Sequence, residues 1–150
     1  MDQNPILNSP FKEPGHYWRL GERGELTQAV LDGRRPSATY VPVAQASATS
    51  AQSELLLDET DREGRGFRQN ALVNRIRAQV ADWRRRGYPH TTHETSRLLD
   101  HWSSGRTTPQ LFFCQLEAIE TMVWLAEAAP NTADGRRILE EWGSLEGDYN

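Results

Sequence analysis

Lysine is almost absent from this 150-residue chain: of seventeen basic residues, only Lys12 is not an arginine. That scarcity excludes two common chemistries. A phosphate-binding P-loop needs the pattern GxxxxGK followed by Ser or Thr, with the lysine reaching the β- and γ-phosphates. Lys12 stands in Ser9-Pro10-Phe11-Lys12-Glu13, with neither the glycines before it nor the hydroxyl after it. A nuclease centre built from paired acids and a lysine around a metal fails on the same count. Cysteine is as scarce. Cys114 is alone, so no internal disulfide forms, and its place in an apolar helical segment predicts a small buried hydrophobe, not a reactive thiol. No run of about 18 apolar residues occurs, which excludes a membrane-spanning helix. Met1-Asp2-Gln3-Asn4-Pro5 has neither the basic nor the apolar region of a signal peptide. A cytoplasmic chain without a membrane partner is the expectation.

Catalytic patterns are missing too. His90, His93 and Glu94 invite a metal, but the spacing is not HExxH and no third ligand stands nearby. No GxSxG nucleophile motif occurs. The sequence therefore predicts no catalytic residue and no metal site in the chain itself.

What is present is a modest core and an uneven charge. Hydrophobic residues make up 37% and charged residues 25%, and a mean hydropathy of -0.73 leaves much of the chain solvated. Net charge is -4, but residues 61–86 carry eight arginines against Asp61, Glu63 and Asp82, a local +5. From Glu127 onward six acids face only Arg136 and Arg137, a local -4. The arginines of the first block do not form one stripe. They suit a solvated face and a helix carboxyl end, or contacts to a phosphate backbone through Arg84 and Arg85. The turn at Gly33-Arg34-Arg35-Pro36 offers Arg34 and Arg35 for the same purpose, and fits a structural role equally well.

Patterning predicts an α+β chain: a small β-hairpin and irregular segment, then a mostly helical part of three to four helices. Pro5, Pro10, Pro14 and Gly15 keep residues 1–15 irregular. Residues 16–20 and 26–31 flank a glycine-bearing turn and read as the hairpin, with a third extended piece over 39–43. The boundaries expected are 1–43 for this region, 44–60 for a flexible linker, 61–143 for the helices and 144–150 for a tail. The first helix runs from about Asp61, ordered from near Phe67, to Arg86, with Leu72, Val73, Ile76, Val80 and Trp83 on one stripe. Gly87-Tyr88-Pro89 stops it. Thr91 and Glu94 make a capping-box pattern for a short helix carrying Leu98, Leu99 and Trp102. Thr108-Pro109 opens the next helix, Pro130 ends it, and Ile138, Leu139 and Trp142 mark a last amphipathic turn or two closed by Gly143.

The third helix holds the most informative residue. Leu111 to Ala126 reads LFFCQLEAIETMVWLA, with Gln115 near its start. On a 3.6-residue period Gln115 shares a largely apolar face with Ala118, Met122 and Leu125, where a carboxamide requires partners. One amide offers a donor and an acceptor together, the complement of the adenine N6-H2/N7 edge. The competing reading is an amide bonded to neighbouring backbone. Phe112 and Phe113, just before it, are either stacking partners for a base or ordinary core.

This segment resembles the helix preceding the phosphate-binding loop in superfamily 2 helicases, where an aromatic residue and a glutamine contact the adenine of ATP. More closely, it resembles the opening of the motor in DEAD/DEAH-box proteins of the type III restriction enzyme motor-subunit kind. Asn4-Pro5-Ile6-Leu7-Asn8-Ser9-Pro10 with Glu13-Pro14 is similar to that group's amino terminus. Gly33-Arg34-Arg35-Pro36-Ser37 with Tyr40-Val41-Pro42 is similar to its next block. Asn74-Arg75-Ile76-Arg77, Val80, Trp83-Arg84, Gly87-Tyr88-Pro89, Thr95, Leu98-Leu99 and His101-Trp102 follow in order. The resemblance implies an ATP-dependent DNA helicase or translocase, with Gln115 and Phe112 or Phe113 at the adenine. It further implies ATP and Mg²⁺ as cofactors of an intact parent, double-stranded DNA as its partner and a methyltransferase subunit as a second one. Since the family's P-loop lies shortly after this helix, the chain is expected to be truncated before it, to bind no cofactor tightly alone, and not to be catalytic alone. The alternative is a stand-alone helical module that binds protein or DNA through a tryptophan-rich face.

Overall fold

Glycine and proline punctuate the front of the chain and tertiary hydrogen bonds close what they open. The computed structural model describes residues 6–21, 25–40, 67–106 and 108–147. Strands β1 (His16–Leu20) and β2 (Leu26–Asp32) form the expected antiparallel hairpin, with Tyr17 opposite Leu31 and Trp18 opposite Val30. The register shifts between Trp18 and Leu20. The Gly21 N–H donates to the Glu25 carbonyl at 2.8 Å across the turn. At the open end Gly33, at a φ of +89°, donates to the Gly15 carbonyl at 2.6 Å; glycine takes that left-handed geometry without penalty.

A second two-stranded sheet pairs β3 (Ala38–Tyr40) with β4 (Phe67–Gln69), antiparallel, with Thr39 opposite Arg68. Here the structure corrects the sequence reading. Residues 67–69 are a strand, and helix α1 begins only at Ala71 (Ala71–Arg85). Asn70 explains the switch. Its N–H donates to the Ser37 carbonyl at 2.9 Å and its side-chain amide to Ser37 Oγ at 3.0 Å. Thr39 Oγ1 donates to its Oδ1 at 3.1 Å, so the residues before it are held extended. The linker expected over 44–60 lies outside the described residues.

The helices that follow are α1, α2 (His93–Ser103), α3 (Phe113–Val123) and α4 (Ala133–Gly147). A π-turn (Trp124–Ala128) and a 3-10 turn (Ala129–Asn131) join the last two. The class is α+β. Two units divide the chain: Met1–Leu7 with Pro14–Ala71, and Asn8–Glu13 with Leu72–Asn150. Among the described residues every buried hydrophobic belongs to the second unit.

Its core joins Ile76, Val80 and Trp83 of α1 to Leu99 of α2, Trp124, Ala128, Ala129 and Ile138 of α4. Cutting either fully buried tryptophan to alanine should cost about 3–5 kcal/mol. Val73, expected on the same stripe, is instead 40% exposed, because Leu72 takes the inward position beside it. α1 ends at Gly87, whose φ of +75° lets the Tyr88 N–H reach back to the Trp83 carbonyl at 3.1 Å. Tyr88 is itself left-handed, at a φ of +58°. Burial against Trp83, ring edge to ring face at 4.9 Å, holds it there.

Three helix boundaries also differ from expectation. The N-cap of α2 is Thr92, which accepts from the Thr95 N–H at 3.2 Å, one residue along from the expected Thr91. The carboxylate of Glu127 fixes that choice by accepting from the Thr92 N–H at 3.0 Å and from Thr95 Oγ1 at 2.8 Å. α3 starts at Phe113 and not at Thr108-Pro109, because its first N–H is taken by the Pro10 carbonyl at 2.8 Å. α4 runs through Gly143 to Gly147. Thr132 caps its start, accepting from the Gly135 N–H at 3.0 Å.

Candidate functional site

The amino-terminal end of α3 gathers most of the residues that the sequence singled out. Ser9 to Lys12 form a turn in which the Phe11 N–H donates to Ser9 Oγ at 3.3 Å and the Lys12 N–H to the Ser9 carbonyl at 3.4 Å. Pro10 sits where a fixed φ favours such a turn. This short strap, residues 8–13, lies on the start of α3. Pro10 supplies the carbonyl for Phe113, and the Phe11 ring packs on Phe112 at 5.3 Å between centroids, tilted by 35°. Phe11 and Phe112 remain 43% and 46% exposed.

Gln115 is the third residue of α3, and its side chain turns back on the helix end. Its Oε1 accepts from the Phe112 N–H at 3.0 Å. That is half of a capping box; the other half is lacking because a phenylalanine side chain has no acceptor. The bond leaves one lone pair of Oε1 and the whole NH₂ group for other partners. Gln115 is exposed, as are Ala118 and Met122. Those three positions of the face expected to be packed therefore point outward, while Leu125 of the same face packs against the core, and the buried residues of α3 are Phe113 and Glu120. Cys114 is exposed as well, contrary to the buried hydrophobe expected from its apolar neighbours.

Glu120 is the residue that sequence reasoning missed. It is fully buried, and a buried carboxylate must be paired and hydrogen-bonded. Arg84 Nε donates to it at 2.8 and 3.0 Å, Arg84 Nη2 adds a further bond, and the Tyr88 hydroxyl donates to Oε1 at 2.8 Å. The guanidinium also lies 5.2 Å over the Phe113 ring and 3.4 Å from Glu13 of the strap. Glu120 holds the Arg84 guanidinium above its ordinary pKa. Burial, with the bond to Glu120 second, pushes the Tyr88 hydroxyl well above the ordinary tyrosine range. The signal for this network was a carboxylate one heptad after Phe113 on an apolar helix, which demands a cation. Nothing in the sequence says which arginine answers.

The candidate phosphate-binding arginines fall two in each unit. Arg35 donates from Nη2 to the Trp18 carbonyl at 2.6 Å and lies 5.7 Å over the Tyr17 ring, clasping the hairpin. Arg34 is half-buried just after β2. Arg84 is withdrawn from the set expected to face phosphate, since its guanidinium is committed to Glu120. Arg85 remains on the surface, 3.2 Å from Asp82, which also binds Arg86 at 2.8 Å. A cavity of about 330 Å³ between α1 and α4 adds Arg75 and Arg137, but Arg75 pairs with Glu141 and Arg137 lies 3.7 Å from Asp134. Among the described residues no group of three His, Cys, Asp or Glu side chains could hold a metal ion, and no helix is long and apolar enough to cross a membrane.

The chain matches no protein-family model, no curated protein and no solved structure. The chemistry available at the start of α3 is recognition: a half-exposed aromatic pair beside an exposed, oriented amide.

Proposed function

We propose that this chain supplies the adenine-facing part of an ATP-dependent DNA helicase or translocase of the type III restriction kind. One observation carries the reading. The Gln115 amide is anchored at Oε1 by the Phe112 N–H, yet keeps a lone pair and its NH₂ group for a ligand, beside an exposed aromatic ring. An amide held in this way presents the acceptor and donor that an adenine edge requires, with its orientation already fixed. The P-loop, the Mg²⁺ ligands and the hydrolytic step come from elsewhere in the working protein, because these residues contain no such motif. Double-stranded DNA, a methyltransferase subunit and a cytoplasmic location belong to the same proposal.

The test separates reading from capping. Gln115→Glu keeps an oxygen for the Phe112 N–H, and a charge at a helix amino terminus adds about 0.3–1 kcal/mol of stability. It loses the NH₂ donor. In the protein that joins this chain to a P-loop, Gln115→Glu and Gln115→Ala should both raise the ATP KM and erode preference for ATP over GTP. A bidentate amide–adenine contact is worth about 1–3 kcal/mol, roughly 5- to 150-fold. Unchanged selectivity in the folded glutamate variant would leave Gln115 as a cap alone. The backbone bond of Gln115 is also what a stand-alone helical binding module would show. A coding sequence that continues past residue 150 into a strand and a GSGKT-like loop decides against that alternative, and a stop codon there decides for it.

A further inference from the structure

We propose that Phe11, on the strap and about a hundred residues away in sequence, is a base-stacking residue, so that a purine packs on a joint platform of Phe11 and Phe112 beside the Gln115 amide. The inference rests on the adenine reading above and adds to it a residue that no motif in the chain assigns. Exposure first separates the two aromatics that the sequence left open. Phe113 is buried beneath the Arg84 guanidinium and is core. Phe112 is 46% exposed, and its one aromatic neighbour among the described residues is Phe11, itself 43% exposed.

Two phenylalanines half-exposed and touching are an unusual use of large apolar surface, since such rings are normally taken inside. Here both are held. Phe11 follows the rigid Pro10 in a turn closed by Ser9, and the strap is pinned on both sides of it. Pro10 O accepts from Phe113 N–H on one side, and Glu13 faces Arg84 on the other. Fixing the rings in advance removes the ordering cost that a weak ligand would otherwise meet. At 5.3 Å the rings are already in mutual contact, which leaves no space for a third ring between them. The base therefore lies against their outer surface and is not sandwiched. Such a surface is tolerant of base identity, because every base has a π-face; discrimination falls to Gln115.

The probe is adenosine 5′-monophosphate at millimolar concentration with the full 150-residue chain, read by saturation transfer from protein to the adenine H2 and H8 protons. Wild type should give clear transfer to both. Phe11→Leu should lower it about tenfold, as should Phe112→Leu, while the melting curve is kept, because Phe11 lies outside the buried core. Phe11→Tyr retains a ring and should retain transfer, which separates stacking from a structural loss. Full transfer in Phe11→Leu, with loss in Phe112→Leu and Gln115→Glu, would overturn the role of Phe11 and leave the adenine reading standing. Equal loss in Phe11→Leu and Phe11→Tyr would also overturn it. No transfer to wild type would bring down the adenine reading and this inference together.

Discussion

Tyr88 shows how much one side chain in the second unit is asked to do. It sits in a left-handed backbone conformation, which costs a residue with a Cβ roughly 1–2 kcal/mol, and it is kept there by burial and by its bond to Glu120. The same surroundings raise its pKa, burial first and the carboxylate second. Folded Tyr88 thus holds its proton at a pH where the unfolded chain, with a tyrosine pKa near 10, has begun to release it. The folded state then binds more protons, so this stability is fully present below about pH 10 and falls as pH rises beyond it. In Tyr88→Phe the alkaline loss of stability should be shallower by about one proton, close to 1.4 kcal/mol per pH unit. At neutral pH the same variant should be about 1–2 kcal/mol less stable, since Glu120 loses a donor. Parallel alkaline melting curves for the two proteins would show that Tyr88 titrates normally. Phenolate absorbance gives a second reading, with one of the four tyrosines ionising only as the fold opens.

At the scale of the element, α3 was legible in existence and illegible in orientation. Its composition announced a helix, and hydropathy alone would turn Met122 inward and Glu120 outward. The structure does the reverse: Met122 is 70% exposed and Glu120 is fully buried. The physical reason is that Arg84 and Tyr88 together satisfy the carboxylate, so the stripe through Phe113, Glu120 and Trp124 can pack. A one-dimensional pattern does not contain that pairing. For the same reason Asn70, which looks like an ordinary polar residue before a helix, could not be read as the clamp that makes residues 67–69 a strand. The hairpin needed no such partner and was readable from its turn glycines alone. Removing the carboxylate should expose how conditional the helix orientation is. Glu120→Ala leaves the half-buried guanidinium with only Glu13 of the strap, 3.4 Å away, and should cost about 3–5 kcal/mol in urea unfolding. Exchanging the pair for apolar residues, Glu120→Leu with Arg84→Met, should recover most of that loss. A mild effect of Glu120→Ala would mean that Arg84 finds water or Glu13 without penalty.

For the whole molecule, the fold class, the hairpin and the run of helices could be read from the sequence and strand β4 could not, while the candidate site could be read only in half. Gln115 and Phe112 stood out because they share one helix with an informative pattern. Phe11 and Glu13 did not, because their partners are about a hundred and about seventy residues away. The strap that carries them interrupts the first unit: the chain passes into the second unit at Asn8, leaves it after Glu13 and returns at Leu72. Residues 67–150 produced alone would therefore lack the Pro10 carbonyl and the Glu13 carboxylate, and should unfold at lower urea by about 1–3 kcal/mol. An unchanged midpoint would show that residues 8–13 add nothing to that unit. This threading also bears on how such a protein can be inherited. Neither unit is a contiguous block, so recombination that moved the hairpin region to another gene would carry off six residues belonging to its neighbour. The two halves travel together or arrive incomplete.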